Sequence, residues 1–163
     1  MFFKFLEKTK EFAIVGPGKQ GTEISQVEYL KGYALFLNLS EFKEIGYFDE
    51  NFFMYLENVD LCLRAKKKGG KLFIIHNSRI RHLGAKAVDD KYSEEIELSR
   101  NWHWMWSKFY FNKKHRGFFV STLLGFMSLL GNFVKYFIYM ITFNKKRNIY
   151  KMRMSGIINS LLG

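Results

Sequence analysis

Residues 45–83 read IGYFDENFFMYLENVDLCLRAKKKGGKLFIIHNSRIRHL, and this stretch carries the strongest structural signals in the chain. Its middle has apolar side chains at helical spacing, and Asp60 is placed to pair with Arg64 one turn later. The apolar positions are Val59, Cys62 and Leu63. The pattern predicts a helix over residues 56–68.

A stop signal and a strand follow that helix. Gly69 and Gly70 end it, after lysines that suit the negative end of the helix dipole. Residues 72–75, LFII, are rich in β-formers and bounded by polar residues, which is typical of a strand. Two earlier apolar runs, residues 12–15 and 33–37, also predict short strands of a mostly buried sheet. Together these elements indicate an α/β unit at the centre of the chain.

Length, charge and cysteine content limit what the chain can be. Its 163 residues suffice for one hydrophobic core, and a second full domain is not expected. The formal net charge of +11 favours polyanionic partners such as nucleic acid, anionic lipid head groups or phosphorylated substrates. The single cysteine, Cys62, suits a reducing compartment. The first residues, MFFKFLEKTKEF, are too charged for a secretion signal, so a cytoplasmic location is expected.

The order of these features resembles a known enzyme family. GYFDENFF, the Glu57-Asn58 pair at a helix start, the strand and then RIRHLG follow the order of the acceptor-side, C-terminal half of inverting family-2 glycosyltransferases of the rhamnosyltransferase-like kind. The loop residues that match are Gly46, Phe48, Asp49 and Phe53. The resemblance covers residues 27–84 and implies an α/β fold. It implies part of a Rossmann-like GT-A nucleotide-sugar transferase domain over residues 1–100, with membrane-associating amphipathic or apolar helices over residues 101–163.

The resemblance also implies a reaction. In the family, a carboxylate of this pair removes the proton of an acceptor hydroxyl as the hydroxyl oxygen attacks the anomeric carbon of a nucleotide sugar. Glu57 and Asn58 are therefore the candidate catalytic residues, although an asparagine cannot accept that proton and is also a common helix cap. Tyr55 and Asp60 are candidate acceptor contacts. The structural alternatives are burial for Tyr55 and helix-dipole electrostatics for the acidic side chains.

A metal site is implied at the end of the same stretch. His82 matches a family histidine that helps to coordinate a divalent manganese or magnesium ion under the diphosphate, and Arg79 and Arg81 are candidates to neutralise phosphate. A polar, solvated strand edge explains the same residues without a ligand. The Asp-x-Asp motif that holds metal and donor in the family is absent from all 163 residues. Either the chain is a fragment, or a separate chain supplies the donor half, or activity is lost, and the metal site is expected to be incomplete.

The last third of the chain has a different composition. Three tryptophans stand among basic residues, and residues 118–134 contain no charged side chain. As a helix, residues 118–143 would measure about 39 Å, against about 30 Å for the hydrocarbon core of a bilayer. Basic clusters at 113–116 and 145–147 flank this run, so a single crossing has no preferred orientation. We expect an in-plane or shallow anchor at the cytoplasmic face of the inner or plasma membrane, with interfacial indoles from Trp102, Trp104 and Trp106.

Small and polar residues fall on one side of that apolar segment. They follow the spacing of a single helical stripe. The stripe consists of Ser121, Gly125, Ser128, Asn132 and Lys135. Besides an amphipathic anchor, such a stripe is also typical of a helix-packing seam.

Several functions are compatible with the sequence. The resemblance favours transfer of a sugar from a nucleotide-sugar donor to a saccharide or lipid-linked acceptor in cell-envelope polysaccharide synthesis. The alternative is a non-enzymatic membrane-surface adaptor that binds anionic lipid and recruits partners. Nucleic acid is not the expected partner, because the tail is so apolar. Gly16, Gly18 and Gly21 match the pattern of a dinucleotide-binding turn, but an ordinary glycine loop is favoured.

Overall fold

The structure, a computed structural model, describes residues 24–32, 34–78 and 90–163. In these ranges five helices, two three-residue strands and one 3-10 turn are present. The strands are β1 (Ile24–Gln26) and β2 (Phe73–Ile75), and the helices are α1 (Leu39–Ile45), α2 (Glu57–Lys67), α3 (Ser93–Arg116), α4 (Phe118–Ile141) and α5 (Arg147–Leu162). The 3-10 turn, Asp90–Tyr92, leads directly into α3.

The expected α/β fold is wrong. The structure is 66% helix and 5% strand, and the sheet has two strands. They run antiparallel, with Ile24 opposite Ile75. A Rossmann-like GT-A domain instead needs a mostly parallel sheet of several strands covered by helices.

The strand predicted at 33–37 shows why the expectation failed. Residues 34–37 form no strand. Phe36 is 92% exposed, so its apolar character does not report burial in a sheet. Asn38 then caps α1, since its side-chain oxygen accepts from the backbone N–H of Ser40. The other predicted strand, at 12–15, lies outside the described residues.

The central helix and the strand after it are confirmed. In α2, Arg64 Nε lies 2.8 Å from Asp60 Oδ2, as the spacing predicted. Gly69 has φ +86°, a left-handed conformation that glycine adopts without strain. The N–H groups of Gly69 and Gly70 donate to the carbonyls of Lys66 and Ala65, each at 3.0 Å. This is a Schellman stop, and it ends α2 where the glycine pair predicted.

The last three helices form an antiparallel bundle. Gly117, with φ +85°, reverses the chain between α3 and α4, and α5 returns along both. The bundle core contains Met105, Phe109 and Ile157. Gly125 of α4 faces Phe109, where an added Cβ would lie 2.8 Å from two ring carbons. Helices approach this closely because the small residue leaves room for the facing ring.

The polar stripe of α4 is a packing seam. Ser121 is 1% exposed, Asn132 is 8% exposed and Gly125 is also buried. The Ser121 hydroxyl donates to the carbonyl of Phe118 at 2.8 Å, and the Asn132 amide to that of Ser128 at 2.7 Å, so these polar groups are satisfied inside the helix. The packing interpretation is therefore confirmed for this side of α4. Among the described helices, α4 is the one long and apolar enough to cross a membrane, and its apolar window is only 11% buried.

Two apolar clusters hold α2 in place. Phe42 of α1 packs against Leu61 and Ala65, and Phe52 and Leu56 pack against Phe111 of α3. The second cluster joins α2 to the bundle through side chains alone. Because α3 runs without a break through residue 100, the limit between the predicted parts 1–100 and 101–163 falls inside a helix. The division itself stays a prediction.

The three tryptophans of α3 all contact protein. Trp102 Nε1 donates to a serine hydroxyl of α5 at 3.2 Å, and the other two indoles meet tyrosine rings at centroid distances of 5.6 and 5.3 Å. The partners of Trp102, Trp104 and Trp106 are Ser155, Tyr55 and Tyr110. Each indole is half-buried by these contacts. Their interfacial role stays a prediction, and their packing role is now evident.

Candidate functional site

The backbone before α2 is strained. Tyr55 has φ +70° and Leu56 has φ +68°, and neither is a glycine. Left-handed conformations of bulky residues are uncommon and persist where packing imposes them, often at functional sites. Here Leu56 is buried against Phe111, and the Ser107 hydroxyl donates to the carbonyl of Met54 at 2.7 Å. Helix α3 thus imposes the turn that presents the first residue of α2.

Glu57 is that first residue. Its Oε2 is buried and, within the described part of the chain, accepts no hydrogen bond. Its Oε1 faces Gly32, where an added Cβ would lie at 3.5 Å. A buried carboxylate oxygen without a donor is rare, because desolvation is then uncompensated. The two oxygens therefore lie in a narrow space between α2 and the segment at Gly32, open to a donor that the described residues do not supply.

Asn58 has a different role from the one that the resemblance implies. Its Nδ2 donates a short hydrogen bond to the carbonyl of Leu30. The N-cap of α2 is Leu56, so Asn58 is not the helix cap either. Because its amide is committed as a donor, Asn58 ties the chain around Leu30 to the start of α2. This tether forms the wall of the space beside Glu57.

Tyr55 lies at the edge of the same space. Its ring meets Trp104 edge-on, with 5.6 Å between the centroids and 84° between the planes. Burial is the main cause that raises the pKa of its hydroxyl; the Glu57 carboxylate raises it further, and the Arg100 guanidinium opposes both. Tyr55 is half-buried, so the burial alternative and a contact to an acceptor are compatible. These electrostatic effects also place Arg100 near the phenol and the carboxylate.

Asp60 is fully buried and already has three cationic partners. Its exposed fraction is 0%, and its carboxylate lies 2.8 Å from both Arg64 and Lys114 and 2.7 Å from His115. Burial alone would raise the pKa of Asp60, but hydrogen bonds from His115, Lys114 and Arg64 hold it well below its ordinary value. With no surface of its own, Asp60 binds other parts of this protein. Its predicted contact with an acceptor is not visible in the described residues.

The same cations extend to the loop before α2. Lys114 Nζ lies 2.7 Å from Asp49 Oδ2, and the Tyr110 hydroxyl donates to the same oxygen at 2.9 Å. Although burial raises it, these bonds and those from Asn51 lower the pKa of Asp49 to about 2. Asp49 also accepts from the backbone N–H of Asn51 at 3.0 Å, so its predicted turn-forming role is confirmed.

The remaining predicted ligands cannot be placed. His82, Arg79 and Arg81 lie outside the described residues, and so does the glycine pattern at 16–21. In residues 24–32, 34–78 and 90–163, no group of three or more His, Cys, Asp or Glu side chains is arranged to hold a metal ion. The described residues therefore do not fit a metal site, and whether His82 completes one stays a prediction.

Several residues of the site were missed by sequence reasoning. Gly32 was seen only as a strand break, Arg100 was not singled out, and Trp104 was assigned to lipid. Lys114 and His115 were interpreted as part of a membrane-facing basic cluster, whereas they neutralise Asp60. The surplus of basic residues in KKHR was the available signal, since two acidic residues of the earlier stretch needed partners. No local pattern pointed to Arg100 or Gly32.

Comparisons with known proteins relate part of the chain to glycan synthesis. It is 36% identical over 52 residues to the low-salt glycan biosynthesis hexosyltransferase of Haloferax volcanii. The aligned part is 32% of this chain and 17% of that relative, so the chain spans about a sixth of the relative's length. No protein-family profile and no solved structure matches. At this coarse level the chain is related to a glycosyltransferase.

Proposed function

We propose that Glu57 and its neighbours form the acceptor side of a sugar-transfer site, and that the chain takes part in hexosyl transfer during cell-envelope glycan synthesis. The proposal rests on the buried oxygen of Glu57 that has no donor in the described chain. Buried polar atoms are almost always paired, so a ligand hydroxyl is the natural partner. The similarity to a hexosyltransferase supports a sugar as the source of that hydroxyl.

The chemistry needs one base at this position. The acceptor hydroxyl donates a hydrogen bond to Glu57 Oε2. Its oxygen then forms a bond to the anomeric carbon of a nucleotide-activated hexose, while its proton passes to the carboxylate. The bond from the anomeric carbon to the phosphate oxygen breaks, the nucleoside diphosphate leaves with the electron pair, and the configuration at that carbon inverts. A positioned general base of this kind contributes about 10²–10⁴-fold in rate.

The neighbours of Glu57 have supporting roles in the proposal. The ring of Tyr55, held against Trp104, offers an aromatic edge to the acceptor sugar. Asn58 and Gly32 keep the space beside the carboxylate narrow. Asp60 acts as a positioning residue, because its ion pairs lock α2 against the end of α3. Glu57 is the one member of this set with an unpaired carboxylate oxygen.

The donor side belongs to the proposal without a derived geometry. A nucleotide-sugar donor requires a further segment or a separate chain, since the similarity covers only 17% of the relative. A manganese or magnesium ion held in part by His82, with Arg79 and Arg81 nearby, would neutralise the charge of the leaving diphosphate. The steps above depend on none of these groups.

The proposed location is the cytoplasmic face of the inner or plasma membrane, where lipid-linked acceptors are found. Helix α4 supports membrane association, because it is long and apolar enough to span a bilayer and is mostly exposed. The same helix favours the second candidate function, a non-enzymatic adaptor that binds anionic lipid and recruits partners. The adaptor needs α4 and no free carboxylate, so Glu57 separates the two functions.

Transfer by cell membranes tests the proposal. Membranes from cells that express wild-type chain, Glu57→Gln or the exposed control Glu50→Gln are incubated with radiolabelled nucleotide hexoses, so that any partner chain is present. We expect label in the lipid-linked or oligosaccharide fraction with wild type and Glu50→Gln, and loss of that label with Glu57→Gln. Equal labelling by all three would refute the role of Glu57, and no labelling above that of membranes without the chain would favour the adaptor.

A further inference from the structure

Helix α4 carries a continuous apolar stripe opposite its packing seam. Six large side chains recur at alternating intervals of four and three residues along its exposed side, and each is between 49% and 86% exposed. They are Phe119, Leu123, Phe126, Leu130, Phe133 and Phe137, and we call them the outer stripe. The seam packs on α3 and α5, so the outer stripe points away from the protein. An exposed apolar surface of this length marks an interaction site.

The residues beside the outer stripe indicate what covers it. A helical partner needs only a narrow apolar seam, flanked by charged positions that choose the partner. Here the flanking positions Val120, Met127, Val134 and Ile141 are also apolar and exposed. The apolar surface is therefore broader than a coiled-coil seam, and residues 118–134 contain no charge that would set a register. A fluid hydrocarbon surface matches this breadth and absence of register better than a second helix.

Charge is segregated in the same direction. Residues 98–163 contain eleven Lys and Arg and no Asp or Glu, whereas residues 1–97 contain fifteen of each sign. The whole net charge of the protein thus lies on the part that carries the outer stripe. Basic residues close to an anionic bilayer gain favourable energy from its surface potential. An apolar stripe with a basic surround is the pattern of helices that bind anionic membranes in the plane of the interface.

The packing of α3 decides between lying flat and crossing. Helix α3 packs along α4 and is polar, with Glu94, Glu95 and Glu97 in its first turns and Lys113 and Lys114 in its last. A crossing α4 that stayed packed would carry this charged helix into hydrocarbon, which is strongly unfavourable. Basic residues also stand at both ends of α4, at 113–116 and 145–147. Both ends therefore favour the same, aqueous side.

We propose that α4 lies flat in the interface of an anionic bilayer, with the outer stripe in the acyl region and α3 and α2 on the aqueous side. The proposal is independent of sugar transfer, because no residue of the outer stripe belongs to the Glu57 site. Lys135, the basic residue within α4, lies with its ammonium 5.7 Å from the centroid of the Tyr150 ring of α5. Its charge is thus directed toward the neighbouring helix and away from the lipid.

Vesicle binding tests the lipid surface. Purified full-length chain is sedimented with vesicles of phosphatidylcholine alone or with about one-third phosphatidylglycerol. We expect binding to the anionic vesicles that is at least about tenfold stronger than to the neutral ones, and that weakens about tenfold or more in Phe126→Asp/Leu130→Asp. The matched control is Phe36→Asp, which removes an equally exposed aromatic side chain from outside the bundle and should bind like wild type.

Thiol labelling tests the orientation. Lys113→Cys and Lys145→Cys place a cysteine near each end of α4, and the native Cys62 is buried and serves as the unlabelled reference. After binding to preformed vesicles, both variants should react with a membrane-impermeant maleimide at the outer surface. Protection of one end until detergent is added would show a crossing and overturn the proposal. Unchanged binding of Phe126→Asp/Leu130→Asp, or a dimer dissociated by that double substitution without vesicle binding by the wild type, would also overturn it.

Discussion

His115 Nε2, near the end of α3, lies 2.7 Å from the buried Oδ1 of Asp60 in α2. Lys114 Nζ reaches the same oxygen at 2.8 Å, and Arg64 binds the other oxygen of the carboxylate. Removal of one partner from a buried ionic cluster leaves the remaining charges uncompensated. This relationship fixes α2, and with it Glu57, against the helical bundle.

The Asp60→Asn variant should therefore be strongly destabilised. We expect a loss of about 3 kcal/mol in the free energy of unfolding, at the lower end of the range for broken buried pairs because Lys114 and Arg64 are partly exposed. Urea denaturation followed by circular dichroism measures the change. Glu50→Gln, at an exposed position, should stay within about 0.5 kcal/mol of wild type. Equal stability of the Asp60 and Glu50 variants would show that the cluster contributes nothing.

Acid should weaken the same region. The pKa of Asp49 is lowered to about 2 in the folded state, and that of Asp60 is lowered further, against an unfolded value of about 3.9. A carboxyl with a lowered folded pKa stabilises the fold above its unfolded pKa and loses this contribution as pH falls through the folded value. Stability should therefore fall between about pH 4 and pH 2. Urea midpoints measured across this window should show a shallower decline in Asp49→Asn; the same decline in both proteins would contradict the assignment.

Two glycines of α4 should respond in opposite directions to alanine. Gly125→Ala places a Cβ 2.8 Å from the Phe109 ring, so overpacking should destabilise the protein by about 1–3 kcal/mol. Gly131 has nothing within 4 Å of an added Cβ, and Gly131→Ala should stabilise the helix by about 0.5–1 kcal/mol. Thermal unfolding of both variants measures the pair. If the two substitutions had the same effect, the packing of α4 described above would be incorrect.

Asn58 offers a test of the resemblance itself. The family pattern has an acidic residue here, but Asn58 Nδ2 donates to the Leu30 carbonyl, and an aspartate would set two acceptors against each other. We expect Asn58→Asp to lose about 1–3 kcal/mol of stability without any gain in transfer. Urea denaturation and the membrane transfer assay give the two readouts. An increase in transfer would indicate that Asn58 occupies the position of the base.

Sequence reasoning succeeded where the determinants were local. The spacing of Asp60 and Arg64, the glycines at 69–70 and the β-rich run at 72–75 act within one or two turns of chain, and the structure has the helix, its stop and the strand as predicted. The cations that neutralise Asp60 come from more than fifty residues away, so no local pattern could assign them.

The fold class failed for the same reason. A strand needs a partner, and the run 34–37 has none in the described chain, while the uncharged run after Gly117 forms a long bundle helix instead. Of the candidate site, Glu57 and Tyr55 lie together, Asn58 is a tether and Asp60 is a buried ionic anchor. Gly32 and Arg100 entered through tertiary contacts that periodicity cannot reveal.

The role of Glu57 as the base is tested most directly by separating turnover from acceptor binding. Transfer rates of wild type and Glu57→Gln are measured in membranes over a range of acceptor concentrations at saturating donor. The amide keeps the size of the side chain but cannot take a proton, so kcat should fall by about 10²–10⁴-fold while the acceptor KM changes little. An unchanged kcat, or a change confined to KM, would contradict the assignment of Glu57 as the base.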